Sequence, residues 1–148
     1  MSFNPVWILN QKKSEKITVF DKVELRNLNQ IASSILDVSK YKKMNFFVKN
    51  SVGESITLSV ALIDNDGQAN QLMLFDGEKY QATATDNTPN NMMMVIPKLD
   101  TAALFFLNTK HTWLNNLTSD KISFRLKANG SVPPTTGNVT VFFIGEPY

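Results

Sequence analysis

Apolar and polar residues alternate with a period of two along much of the chain. In Lys121–Ala128, Ile122, Phe124, Leu126 and Ala128 alternate with Lys121, Ser123, Arg125 and Lys127. Successive strand side chains point to opposite faces, so this run predicts a strand with one dry and one wet face. Val139–Ile144 is almost wholly apolar, the pattern of a strand covered on both faces. Met44, Phe46 and Val48 share a face of another run, and Ile56, Leu58, Val60 and Leu62 alternate with Thr57, Ser59, Ala61 and Ile63. Asn50-Ser51-Val52-Gly53 predicts a turn between them. Asp64-Asn65-Asp66-Gly67 is a hairpin signal, because Asn and Gly tolerate positive φ. Gln71–Phe75, a second hairpin signal at Asp76-Gly77, and Lys79–Thr85 extend this into an antiparallel meander of four strands between Lys43 and Thr85. Asn87–Asn91, which contains Pro89, reads as a loop, and Met92–Ile96 as a buried strand ending at Pro97.

Two regions admit more than one element. Over Asp21–Ser34, Asp21 and Glu24 have capping-box spacing, and Leu25, Leu28, Ala32 and Ile35 fall on one helical face. The β-branched Ile17-Thr18-Val19-Phe20 instead favours two short strands, Ile17–Leu25 and Ser33–Val38. Thr101–Leu117 is the better helix candidate, with Asp100 or Thr101 as its cap. The expectation there is a short helix or an ordered loop. Together these elements predict an all-β, antiparallel sandwich of one domain over residues 1–148, with at most one or two short helices.

Composition agrees with that class and removes several functions. The chain is 43% hydrophobic and only 19% charged; its polar residues are largely Asn, Thr and Ser, which suit turns and strands. A net charge of +2 is too small to argue for nucleic acid. The clusters Lys12, Lys13, Lys16 and Lys40, Lys42, Lys43 read as solvated loop residues rather than phosphate contacts. With no cysteine there is no disulfide, thiolate metal site or Cys nucleophile. The N-terminal apolar run is too short for a signal peptide and is followed, not preceded, by lysine. No stretch approaches the length of a membrane span.

Candidate chemistry is sparse. The single histidine, His111, lies between Lys110 and Thr112 with no G-x-S-x-G elbow in the chain, and reads as a surface or loop residue. Asp64, Asp66, Asp76 and Glu78 sit in turns, where they serve turn geometry rather than paired-carboxylate catalysis. The Asp64-x-Asp66-x-Gln68 spacing resembles a calcium loop, but Ala69 and Phe75 stand where that loop needs Gly and Glu, so it reads as a hairpin. No Gly-rich phosphate loop occurs, and the sequons at Asn116, Asn129 and Asn138 carry little weight without a secretion signal. No catalytic residue, metal ligand or cofactor is expected. Most Phe residues lie on apolar strand faces, and Met92-Met93-Met94 reads as adaptable core. Trp7 and Tyr148 lie near the ends and suit packing or contacts between subunits. Trp113 has two readings: a plug at one end of the sandwich, or a sugar platform with His111 and Asn115 beside it.

Two segments carry a resemblance. Phe20–Ser51 contains Phe20-Asp21, a Ser33-Ser34 strand, Asp37-Val38-Ser39-x-Tyr41, and an apolar strand ending in Val48-Lys49-Asn50-Ser51. Phe124–Gly145 has a strand with alternating basic residues, a Pro134-Thr135-Thr136-Gly137 loop and a final apolar strand. This resembles small phage and prophage β-sandwich proteins. The resemblance implies a jelly-roll or galactose-binding-like sandwich and a role as a virion accessory or structural protein, and it supplies no active site.

The expected function is therefore a non-enzymatic structural or adhesion module of a phage or prophage particle, acting through protein–protein contacts with other virion proteins or with itself as a homo-oligomer. Its place would be the virion, or the host cytoplasm before release, with no nucleic-acid or membrane partner. The alternative is a carbohydrate-binding module for a cell-surface glycan, using Trp113, His111 and Asn115.

Overall fold

The runs at Lys121–Ala128 and Val139–Pro147 become central strands of two different sheets, which face each other across one core. The computed structural model describes residues 13–70, 74–75, 80–81, 93–100, 103–117 and 119–148. In chain order the strands are β1 (Glu15–Val23), β2 (Ile31–Ala32), β3 (Leu36–Asp37), β4 (Tyr41–Asn50), β5 (Ile56–Ile63), β6 (Ala69–Asn70), β7 (Leu74–Phe75), β8 (Tyr80–Gln81), β9 (Met93–Ile96), β10 (Phe105–Phe106), β11 (Lys121–Ala128) and β12 (Val139–Pro147). A single helical turn, α1 (Leu107–Lys110), and a 3-10 turn (Thr112–Asn116) separate β10 from β11.

The first sheet has the order β1-β12-β4-β10. The second is built on the β11–β5 pair, matched from Lys121↔Ile63 to Ala128↔Ile56. β2 and β3 share the outer edge of β11, and β6 and β9 share that of β5. β7 and β8 form a separate two-stranded pair. Every pairing is antiparallel, so the fold is an all-β sandwich.

The inner faces follow the alternation in the sequence. Ile122, Phe124 and Leu126 have no exposed surface, and neither do Phe46, Val48, Ile56, Leu58, Val139 and Val141. The Phe46 ring of the first sheet lies 5.5 Å from Phe124 of the second and 5.3 Å from its neighbour Phe143. These rings join the layers, each burial contributing about 1.5–3 kcal/mol. Tyr41 completes the cluster edge-on to Phe143, over Gly145, where a Cβ would come within 2.5 Å of the tyrosine ring.

Several expectations need correction. β4 and β5 do not belong to one meander: they lie in opposite sheets, and Asn50–Gly53 carries the chain across the sandwich. Asn50 explains that crossing. Its buried carboxamide donates to the Glu54 and Pro97 carbonyls and accepts from the Val52 N–H, supplying partners a hairpin ladder would otherwise give. The helical alternative over Asp21–Ser34 does not form. The chain is strand to Val23 and pairs again only at Ile31–Ala32 and Leu36–Asp37. Between those short strands Ser33 keeps the ladder continuous, donating from its N–H to the Phe124 carbonyl and accepting the Phe124 N–H on its hydroxyl. Among the described residues of Thr101–Leu117 only Leu107–Lys110 is α-helical, with Phe106 at its N-cap and no side-chain cap, and Phe105–Phe106 are strand; residues 101–102 lie outside the described residues. The Asp64–Gly67 hairpin forms, with Asp64 accepting the N–H groups of Asp66 and Gln68. Of the strands expected at Gln71–Phe75 and Lys79–Thr85, β7 and β8 are described and the remaining residues lie outside. β12 and β9 are not covered on both faces throughout, since Ile144 and Val95 are exposed.

Candidate functional site: an aromatic sheet face and an adjoining cleft

Since Phe46 and Val48 of β4 and Val141 and Phe143 of β12 point inward, the residues that alternate with them point outward. In β4 those are Asn45 and Phe47, and in β12 Phe142 and Ile144. The register Phe106↔Phe47↔Phe142 sets three phenyl rings side by side across β10, β4 and β12. Their centroids are 5.1 and 5.2 Å apart and their planes tilt by only 24° and 17°. The Lys16 ammonium of β1 lies 4.4 Å over the Phe142 ring and closes the row with a cation–π contact. The row is open to solvent at its Phe106 end, and Ile144, beside Phe142 on β12, is exposed as well. Phe106 is 36% exposed and Ile144 37%, whereas Phe142 is 9% exposed.

Beyond Phe106 the chain stops pairing with β4 and turns into α1. That would strand the next backbone groups of β4. Asn108 takes their place: its Oδ1 accepts the Phe46 N–H at 2.7 Å and its Nδ2 donates to the Met44 carbonyl at 3.0 Å. A buried side-chain amide thus acts as one more strand residue. The second Nδ2 hydrogen goes to Asn115 Oδ1 at 2.8 Å, tying the 3-10 turn to the sheet.

Between sheet and turn lies an open cleft of about 490 Å³, lined by Lys42, Lys43, Asn45, Phe106, Asn108, Thr109 and Asn115. Among the described residues no hydrogen bond engages the Asn45 carboxamide, the Asn115 Nδ2 or the Lys43 ammonium, while Lys42 pairs with Glu146 at 3.1 Å. Of the three residues singled out from the sequence, Asn115 alone lines this cleft. Trp113 is partly buried and packs against the core. His111 lies between α1 and the 3-10 turn, its ring 6.2 Å from that of Trp113 and edge-on to it. Its Nε2 is buried with no hydrogen-bond partner. Burial, helped by the charge of Lys110, holds its pKa below the usual imidazole value. Sequence reasoning missed Phe47, Phe106, Phe142 and Asn108. The outward parity of Phe47 and Phe142 was a usable signal; the role of Asn108 was not, because it depends on where β10 ends.

A larger cleft of about 760 Å³ lies at the Asp64–Gly67 hairpin, between Ile35, Ile63 and Ser119–Lys121. Among the described residues, no group of three His, Cys, Asp or Glu side chains is placed to hold a metal ion. At the edge of the first sheet Tyr41 donates to Glu15 Oε2 at 2.7 Å and Lys40 reaches the same oxygen at 2.9 Å. The tyrosine hydrogen bond, then the lysine, pull the Glu15 pKa below the usual carboxylate value. Comparison of the chain with family models, with curated proteins and with solved structures gives no match, so a functional reading rests on this geometry.

Proposed function

We propose that the protein is a non-enzymatic structural or adhesion module of a phage or prophage particle, which acts by protein–protein contact and assembles with further copies of itself. The observation that supports this reading is the outward face of the first sheet. Phe106 and Ile144 expose apolar surface on this face on either side of β4, and the stacked rings of Phe47 and Phe142 lie beside them. Rigid aromatic surface of this kind is the usual energetic centre of a protein interface. The same face carries Lys43 directly opposite Glu146 in the register, so a twofold-related copy meets both signs of charge, as an isologous contact requires. The long edge of the sheet argues for contact through the face. β1 has register shifts after Thr18 and after Phe20 and a positive φ at Lys22, devices that keep an edge strand from pairing with another.

Light scattering over a concentration series tests the assembly. The wild type is expected to associate, and Ile144→Lys to remain monomeric at the same concentrations with an unchanged circular dichroism spectrum. A wild type that is monomeric throughout defeats the self-association. Mass spectrometry of purified particles from the producing strain tests the location, and absence of the protein from them defeats the particle assignment.

A further inference from the structure

We infer that the cleft beside Phe106 binds an acidic saccharide, one whose sugar ring carries a carboxylate or a phosphate. The contact between copies proposed above would cover the same Phe106 ring, so the inference concerns the unassociated chain. It begins with Asn108, whose orientation is imposed by the backbone. Its oxygen must accept the Phe46 N–H and its nitrogen must donate to the Met44 carbonyl. The remaining N–H of that nitrogen then requires an acceptor, so Asn115 must present its oxygen inward. The Asn115 N–H2 is left on the cleft as a donor. Lys43 adds an ammonium with no ion pair among the described residues, and Lys42 a second one shared with Glu146. Among the described residues no carboxylate lines the cleft. Its polar side therefore offers mostly donors and positive charge, which an oxyanion satisfies and a purely neutral ligand does not.

The apolar side is the exposed part of the Phe106 ring, a flat surface suited to the C–H face of a pyranose. It is held still by stacking on Phe47. The Asn45 carboxamide, fixed on β4 between the ring and the lysines, can both donate to and accept from sugar hydroxyls. A volume near 490 Å³ falls within the range of roughly 300–1,000 Å³ usual for small-ligand sites. Because β4, Phe47 and Asn108 already position these groups, binding orders few side chains.

The test is titration of the full chain, labelled with nitrogen-15, while the side-chain amide signals of Asn45 and Asn115 are followed. The probes are oligogalacturonate, its neutral methyl ester, and galactose 6-phosphate. At least one of the two anionic probes is expected to shift both amides and the ester to leave them in place; the tighter of the anionic pair identifies whether carboxylate or phosphate is preferred. Asn115→Asp keeps the acceptor for Asn108 but turns the donor into a negative charge, and is expected to weaken binding at least about tenfold. Lys43→Gln, at an exposed site that leaves the fold intact, is expected to weaken it about threefold to tenfold. The inference is overturned if no probe moves either amide at concentrations up to about 10 mM, if the ester binds as well as the acid, or if Asn115→Asp binds unchanged.

Discussion

Replacing Asn108 by alanine removes three hydrogen bonds and leaves the Phe46 N–H and the Met44 carbonyl without their partners at a site where the asparagine is 4% exposed. A buried backbone group left unsatisfied costs about 1–3 kcal/mol, so two cost about 2–6. The cleft opens on Asn108 from one side, and water entering there partly replaces the lost amide, which places the expected loss at about 2–4 kcal/mol. For a chain of this size that lowers the melting temperature by roughly 5–15 °C. Urea denaturation followed by circular dichroism measures the loss directly, with the slope unchanged if the compactness of both states is unaltered. Asn108→Asp sharpens the test. A carboxylate still accepts the Phe46 N–H but faces the Met44 carbonyl and Asn115 Oδ1 with no proton to give. Its folded-state pKa is thereby raised, so this variant's deficit relative to the wild type should shrink as pH falls from 7 to 5. A loss below about 0.5 kcal/mol for Asn108→Ala, or a deficit of Asn108→Asp that grows on acidification, would refute the assignment of Asn108 as a surrogate strand residue.

Phe124→Asp places a charge against Phe46 with no partner and should give no soluble folded protein; a variant with the wild-type melting temperature would overturn the core described above. Gly137 has φ 78°, and a Cβ there would collide with the Ser51 carbonyl, so Gly137→Ala should lower stability by at least about 2 kcal/mol in urea unfolding, and an unchanged midpoint would contradict the close approach. His111 has a folded-state pKa below that of the unfolded chain, so stability should fall as pH drops through about 6.5 towards the folded value; thermal melts of His111→Gln between pH 7 and 5 should show a flatter dependence than wild type, and an equal slope would argue against it. Glu15 is also depressed, but its contribution is present above its unfolded value near 4.5 and lost below it, so Glu15→Gln should flatten the acid limb of the same melts below about pH 4.5 and leave the limb above pH 5 alone.

The strands of the core were legible because period-two patterning reports burial directly. Ile122, Phe124, Leu126 and Ala128 were assigned inward from alternation alone, and all four are buried, whereas Ser123, assigned to the wet face, is buried too. What the pattern does not encode is partnership. Met44–Val48 and Ile56–Ile63 read as neighbours joined by a turn, and only the hydrogen bonds of Asn50 reveal that the chain changes sheet there. The region around α1 was obscure for a related reason. Leu107 and Leu114 are buried at a spacing that a continuous helix would also give, and the actual break is made by β4, which accepts two residues of β10 and then a side chain. Trp113 drew attention as the most conspicuous aromatic of an irregular segment, yet the ring that lines the cleft is Phe106, an apolar residue that looks from the sequence like any other core phenylalanine.

The placement of β11 and β12 has a bearing on how the chain is made. β12 lies between β1 and β4, and β11 lies between β2 and β5, so one of the two central strands of each sheet is supplied by residues beyond 120. A nascent chain that has emerged only through β10 holds one central strand of each layer, β4 or β5, without the central strand that pairs along its full length. Glu15 must wait for Gly145 and Ile56 for Ala128, and loop-closure entropy opposes such distant contacts until the late strands arrive. During that interval β4 and β5 expose their apolar faces and open edges together, the condition under which chaperone binding or premature association between growing chains is favoured. Synthesis that pauses before residue 121 should therefore yield chains that are captured or aggregated rather than partly folded.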